Sequence, residues 1–269
     1  MRLALAQLDQ TAGDVKGNVD RAATAVADAA ARGADMVVLP ELFTVGYFAF
    51  DTYTRAAEGL GGPTFSRLSA LAADHGVALL AGSHVEDLAA SAAAGADVPA
   101  AEGLANTCVF YDRDGTRRAV YRKHHLFGYE SAETRLLTPG ESLATVDFEG
   151  FTVGMSTCYD LRFPELYRRL ADRGASLVCV PSAWPYPRVE HWETLARARA
   201  IENLCYVAAA NGAATFEDAT LLGRSTVYDP WGTTLASAGD DPTLVVSDLD
   251  PARIESVREE FPALGDRRD

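Results

Sequence analysis

Three polar residues, each closing an apolar run, carry the chemistry this sequence offers. Glu41 follows Val37-Val38-Leu39-Pro40, Lys123 follows Arg118-Ala119-Val120-Tyr121-Arg122, and Cys158 follows Phe151-Thr152-Val153-Gly154-Met155-Ser156-Thr157. These are the residue types that acyl transfer from nitrogen needs. A thiolate attacks the carbonyl carbon, a carboxylate carries the proton from thiol to leaving amine, and a cation stabilises the oxyanion. Lys123 would also favour the thiolate, and the backbone N–H of Tyr159, next after the sulfur, is a candidate second oxyanion donor. Glu41 suits a general base if a desolvated pocket raises its pKa toward the working pH. Taken singly, each residue has a plainer reading. A Glu after a strand serves as a solvated or capping carboxylate, a lysine within Arg122-Lys123-His124-His125 belongs to a charged face, and a cysteine packs as a small hydrophobe.

Whether the three can meet depends on the elements that carry them. Short β-branched runs alternate with helical patterns along the whole chain. Strands are expected over 2–8, 35–39, 77–84, 105–111, 117–122, 143–148, 151–157, 176–180, 204–210, 224–229 and 244–249. Helices are expected over 16–32, 63–75, 164–173 and 190–203. Asp112-Arg113-Asp114-Gly115 and Glu149-Gly150 read as hairpin turns. The alanine-rich stretch 88–103 reads as a surface loop, and no internal repeat is visible. Strand–helix–strand units mixed with hairpins imply a mixed sheet layered with helices, hence an α/β fold in a single domain over residues 1–269. Glu41, Lys123 and Cys158 then all fall at carboxyl ends of strands, the edge where α/β sheets bind ligands.

Composition excludes several other functions. The chain has 269 residues, and 24 Lys+Arg against 38 Asp+Glu leave a net charge of −14, which would repel nucleic acid and anionic lipid. No apolar run approaches the ~20 residues that span a bilayer, and the start Met1-Arg2-Leu3-Ala4-Leu5-Ala6 lacks a signal peptide's apolar centre. A soluble, cytoplasmic protein is expected. No GxxxxGK[ST] or GxGxxG motif is present, so a nucleotide cofactor is not expected. The four cysteines show no CxxC pair, and Cys108, Cys179 and Cys205 sit inside apolar strands as buried thiols, which argues against disulfides. His84-Val85-Glu86 matches the H-x-E of zinc deaminases, but no P-C-x-x-C follows, and no metal is expected. His124-His125 offers a base for a Cys–His hydrolase instead, although a structural or pocket-wall role fits these histidines and His191 better.

The sequence around the three residues resembles the nitrilase superfamily of carbon–nitrogen hydrolases. The blocks that carry the resemblance are Leu39-Pro40-Glu41-Leu42-Phe43 with Gly46-Tyr47, Tyr121-Arg122-Lys123-His124-His125-Leu126-Phe127, and Cys158-Tyr159-Asp160-Leu161-Arg162-Phe163-Pro164-Glu165-Leu166. They continue through Pro181-Ser182-Ala183-Trp184-Pro185, His191-Trp192-Glu193 and Ala198-Arg199-Ala200-Ile201-Glu202-Asn203 to Asp229-Pro230-Trp231-Gly232. The resemblance implies an αββα sandwich that pairs into a homodimer or higher oligomer, with the chain's carboxyl end packed near the contact. It implies Cys158 as nucleophile through a thioester, Glu41 as general base and Lys123 on the oxyanion. A second site glutamate precedes Pro-Gly by six residues in this family; Glu133 fits Pro139-Gly140, and Glu130 competes.

Cys-Tyr-Asp-Leu-Arg-Phe-Pro-Glu resembles the small-amide amidases, including ω-amidase-like members acting on 2-oxo acid amides, more than the Cys-Trp-Glu of nitrilases. An amide substrate is therefore expected, with an N-carbamoyl compound or a nitrile as alternatives. Outside catalysis, a non-catalytic binding protein on the same scaffold is the competing class. Arg162 is a candidate for a substrate carboxylate, or for a structural pair with Glu165. Tyr47, Tyr159 and Trp184 are the other candidate substrate contacts, in loops whose shape the sequence does not give.

Overall fold

The computed structural model describes residues 1–129, 131–217 and 219–268. Strands β1 (Arg2–Gln7), β2 (Met36–Val38), β3 (Ala78–Leu80), β4 (His84–Asp87), β5 (Leu104–Tyr111) and β6 (Arg117–Arg122) enter one sheet. Strands β7 (Ala144–Phe148), β8 (Phe151–Met155), β9 (Leu177–Ser182), β10 (Tyr206–Asn211), β11 (Thr226–Tyr228) and β12 (Thr234–Ser237) form a second. Strand β13 (Thr243–Asp248) returns to the first sheet beside β1. The first sheet runs β13-β1-β2-β3-β5-β4 with β6 paired to β5, and the second runs β12 to β7 in reverse order. Both are mixed: β1–β2–β3 and β8–β9–β10 are parallel, and the hairpins are antiparallel.

Side-chain alternation sorts the strands into layers. Leu3 and Leu5 of β1 face Met155, Leu177, Cys179 and Ala208 across the sheet–sheet core, whereas Ala4 and Ala6 face Val19, Ala22 and Val26 of the helix Val15–Ala31. The helix Pro63–His75 covers the same outer face through Phe65, Leu68 and Ala72. On the far side, Leu166, Tyr167 and Leu170 of the helix Pro164–Asp172 and Trp192, Ala196 and Ala200 of the helix Val189–Asn203 bury Val178, Val180 and Val207. Helix, sheet, sheet and helix therefore stack as an αββα sandwich. Among the described residues, no helix is long and apolar enough to cross a membrane.

Several expected elements differ in extent, for local physical reasons. The run 77–84 is not one strand: β3 ends at Leu80 and β4 starts at His84. Gly82 has a φ of 35°, and a Cβ there would lie 2.1 Å from the Pro40 carbonyl oxygen, so the chain breaks where it passes against the Pro40-Glu41 corner. Within 88–103, Leu88–Ala93 is a helix and not loop, because the Asp87 side chain accepts the Ala90 N–H at 3.0 Å and caps it. The strand before Cys158 stops at Met155, and the next strand but one begins at Tyr206 because Leu204 turns left-handed at φ 45°. Strand β12 and the helix Pro251–Glu260 were not expected. Ile254 and Val257 of that helix are buried, so the carboxyl segment is packed and not a mobile tail.

Candidate active site

Lys123 and Cys158 reach one cavity and Glu41 is buried against the lysine, although Glu41 and Cys158 are 117 positions apart in the chain. The Pro40-Glu41 corner follows β2, Lys123 leaves the end of β6, and Cys158 opens the 3-10 turn Cys158–Arg162 just past β8. Lys123 and Cys158 both line a cavity of about 1640 Å³, together with Tyr47, Tyr159, Arg162 and Trp184.

Lys123 is buried and its Nζ donates to Glu41 Oε1 at 2.8 Å and to Glu133 Oε1 and Oε2 at 2.8 and 3.0 Å. Both carboxylates are themselves fully buried. One ammonium thus faces two carboxylates, which raises the Lys123 pKa well above its ordinary value against the opposing effect of desolvation. The same arithmetic leaves a surplus negative charge in a dry site. Burial, chiefly, pushes Glu41 up, and Lys123 only partly offsets it. Burial and then the neighbouring Glu41 charge push the Cys158 thiol well above the ordinary range. In the resting site the sulfur therefore carries its proton and the carboxylate beside it is primed to accept one.

The geometry around Glu41 leaves little freedom. Oε1 accepts from Lys123 Nζ and from Asn106 Nδ2 at 2.8 Å, Oε2 accepts the Ala183 N–H at 3.0 Å, and the Glu41 N–H donates to the Ser182 carbonyl at 3.3 Å. The Cys158 thiol is a hydrogen-bonding neighbour of the same carboxylate. Glu133 is held as firmly, accepting Tyr47 Oη at 2.9 Å and the Phe127 N–H at 2.7 Å besides Lys123. Glu130, its competitor in the sequence, lies outside the described residues. The Tyr47 ring sits 5.4 Å from Lys123 Nζ, so this tyrosine both lines the cavity and anchors the lysine's partner.

Cys158 adopts φ 47°, a left-handed conformation that an L-residue holds only when its surroundings impose it. Asp160 supplies the constraint. Its buried carboxylate accepts Thr157 N–H at 2.9 Å and Tyr121 Oη at 2.6 Å on Oδ2, and the His125 backbone N–H at 2.9 Å and ring Nδ1 at 2.8 Å on Oδ1. Tyr121 lies on β6 two residues before Lys123, so one carboxylate ties the cysteine's turn to the lysine's strand across the two sheets. His125 is thereby occupied with Asp160 and stacks on Phe163 at 3.8 Å. The alternative ion pair of Arg162 with Glu165 is not formed among the described residues. The Arg162 guanidinium lies 5.0 Å from the Trp184 ring and 5.7 Å from the Tyr159 ring, and contacts His191 Nδ1 at 3.2 Å. His84 is buried away from the cavity lining, its Nδ1 on Thr44 Oγ1 at 2.7 Å.

Sequence reasoning passed over Asn106 and Ala183. The signal for Asn106 is a side-chain amide followed by Thr107 inside an otherwise apolar strand, a placement that asks for a buried polar partner. Ala183 acts through its backbone, which no residue type announces.

A mixed two-sheet αββα sandwich with a buried carboxylate, ammonium and thiol grouped beside one cavity defines a candidate hydrolase site. Residues 2–259 match the carbon–nitrogen hydrolase family, and the chain belongs to that family of enzymes. It is similar to the 2-oxoglutaramate amidase of Paenarthrobacter nicotinovorans, 37% identical over 87% of this chain and 79% of that one. It also resembles human omega-amidase NIT2, 36% identical over 99% of this chain and 95% of that one. Among solved structures, XC1258 of Xanthomonas campestris, a CN-hydrolase superfamily protein with an arsenic adduct in its active site, superposes with a TM-score of 0.87 at 30% identity, covering 100% of this chain and 97% of that one. A mutant form of the amidase of Nesterenkonia sp. AN1, whose active-site cysteine has added acrylamide, gives 0.75 at 30% identity over 98% of each chain.

Proposed function

We propose that the enzyme hydrolyses the carboxamide of a small acid whose other end carries a carboxylate, 2-oxo acid amides among them, to acid and ammonia through a Cys158 thioester. The observation that carries this reading is the buried Lys123 ammonium shared by Glu41 and Glu133 beside the cavity-lining Cys158 thiol. The relatives' amidase activity supports the amide as substrate.

The site's own electrostatics order the steps. Glu41 takes the thiol proton as the sulfur bonds to the amide carbon, so the negative charge only moves and no new charge is buried. Lys123 spends one N–H on Glu41 and one, shared, on Glu133. The third remains for the oxyanion, together with the Tyr159 N–H. Glu41 returns the proton to the amide nitrogen, the C–N bond breaks, and ammonia leaves. Water then enters, gives a proton to Glu41, and its oxygen attacks the thioester carbonyl; the acid departs and the thiol regains its proton. Glu133 keeps the ammonium in place throughout, and no cofactor or metal enters any step. Arg162, unpaired with any carboxylate among the described residues and next to the cysteine's turn, meets the substrate carboxylate.

Ammonia release from a panel of amides, N-carbamoyl amino acids and nitriles tests the substrate class, with activity on the amides expected. Preference for a nitrile, or turnover of ureido compounds alone, would overturn the amide reading, and turnover surviving Cys158→Ala would overturn the thioester. The same reading includes a homodimer. Ile201, Trp231 and Phe261 are exposed apolar residues, with the two rings 5.8 Å apart, and form a face that a second copy would cover. Sedimentation showing a monomer at micromolar concentration would refute that part.

A further inference from the structure

Resting on the amide reading above, we propose that Arg188 is a second substrate-carboxylate residue, acting with Arg162 as a two-guanidinium reader of the acyl end. Two features of Arg188 point to this. Its backbone is held hard: the carbonyl accepts Trp184 Nε1 at 3.1 Å and the Trp192 N–H at 3.1 Å, at the start of the helix Val189–Asn203. Its side chain, in contrast, makes no ion pair among the described residues, and the guanidinium lies 5.9 Å from the Phe127 ring on the lining of the cavity that holds Cys158.

Phe127 packs edge-on against Tyr159 at 5.0 Å, and Arg162 lies over that same Tyr159. The two guanidiniums therefore flank one aromatic pair that adjoins the nucleophile. Arg55 and Arg135 also reach the lining, but both are exposed, where water neutralises their pull; Arg162 and Arg188 are half-buried. In a chain with 38 acidic residues, two half-buried arginines on one cavity wall that have no carboxylate partner among the described residues are a site for an anion supplied from outside. Aromatic faces support both cations, and apart from the Arg162 Nη2 contact with His191 their N–H groups are available to a carboxylate. A neutral acyl chain gains nothing from this wall, so Arg188 is a specificity-determining residue and leaves the chemistry at Cys158 untouched.

The test compares succinamate with butyramide, the neutral amide on the same four-carbon skeleton, for the wild-type enzyme, Arg188→Ala and Arg188→Lys, alongside the binding of succinate measured by calorimetry. The wild type is expected to prefer succinamate. Arg188→Ala is expected to lose roughly 10- to 100-fold in kcat/KM on succinamate, mostly through KM, and to weaken succinate binding by a similar factor, the range of one charged hydrogen-bond contact. Its rate on butyramide should stay within about twofold, and Arg188→Lys should fall between, having charge but no fork. Equal losses on both amides, or none on succinamate with succinate binding unchanged, overturn the assignment to Arg188 while the anionic-amide reading stands. A wild type indifferent to the carboxylate overturns that reading, and the role of Arg188 with it.

Discussion

Replacing Asp160 by Asn perturbs the hinge between the cysteine's turn and the lysine's strand while changing almost no volume. The carboxylate accepts four hydrogen bonds, two on each oxygen, in full burial. An amide offers one accepting oxygen, so whichever way it is turned, two donors face an NH2. If that group faces Oδ2's partners, Tyr121 Oη can rotate to accept, but the Thr157 N–H cannot. If it faces the other side, the His125 ring can change tautomer, but the His125 backbone N–H cannot. One buried N–H is orphaned in either case, at about 1–3 kcal/mol, and the remaining bonds lose the strength a charged acceptor gives. A total loss of about 2–4 kcal/mol in unfolding free energy is expected from urea titration. The orphan that relaxes by moving Thr157 also frees Cys158 from φ 47°, so kcat for ammonia release should fall by at least about tenfold with KM little changed, the cost of misplacing a reacting atom. Iodoacetamide labelling of Cys158 should show an altered rate and pH profile in the same variant. Stability within about 0.5 kcal/mol of the wild type together with unaltered kcat would refute the argument that this carboxylate positions the sulfur.

Removing the lysine has two readouts. Lys123→Ala should cut turnover on the order of 10³-fold, more than a Cys–His dyad would suffer, and should destabilise by about 3–5 kcal/mol because Glu41 and Glu133 stay buried without a counter-charge. That deficit should shrink as pH falls and the carboxylates protonate, which parallel denaturant titrations would show. Glu41→Gln should abolish turnover yet lower the pH at which Cys158 is alkylated, since the Glu41 charge holds the thiol's pKa up; an upward shift would contradict the charge bookkeeping at the site. His84 provides a pH test of the fold. Burial, the largest cause, lowers its pKa from 6.5 to about 4, so the unfolded chain takes up a proton that the native state refuses. The full stability is present above pH 6.5, and about 3 kcal/mol of it is lost as pH falls toward 4. His84→Gln should flatten that decline in thermal melts between pH 7 and 4, and an unchanged slope would exclude His84 as its source.

Much of this protein was legible in residue order. The hairpins at Asp112–Gly115 and Glu149-Gly150, the helix ending at Gly76 and the three strand-end residues follow from local rules, because a turn needs a residue tolerant of positive φ and a buried strand needs consecutive apolar side chains. The family blocks are local as well, which is why Glu41, Lys123 and Cys158 could be named before their geometry was known. Contacts between distant segments decided the rest. Gly82 breaks a strand because Pro40 passes beside it, and the helix after Asp87 forms because a carboxylate caps a stretch whose composition reads as loop. The charge state of the site was beyond reach of the sequence altogether: it depends on two carboxylates and one ammonium sharing a dry volume, and desolvation is a property of everything packed around them. The types of the reacting residues are written along the chain. Their protonation, the strained backbone under the sulfur and the guanidiniums on the cavity wall exist only once two sheets close on each other and exclude water.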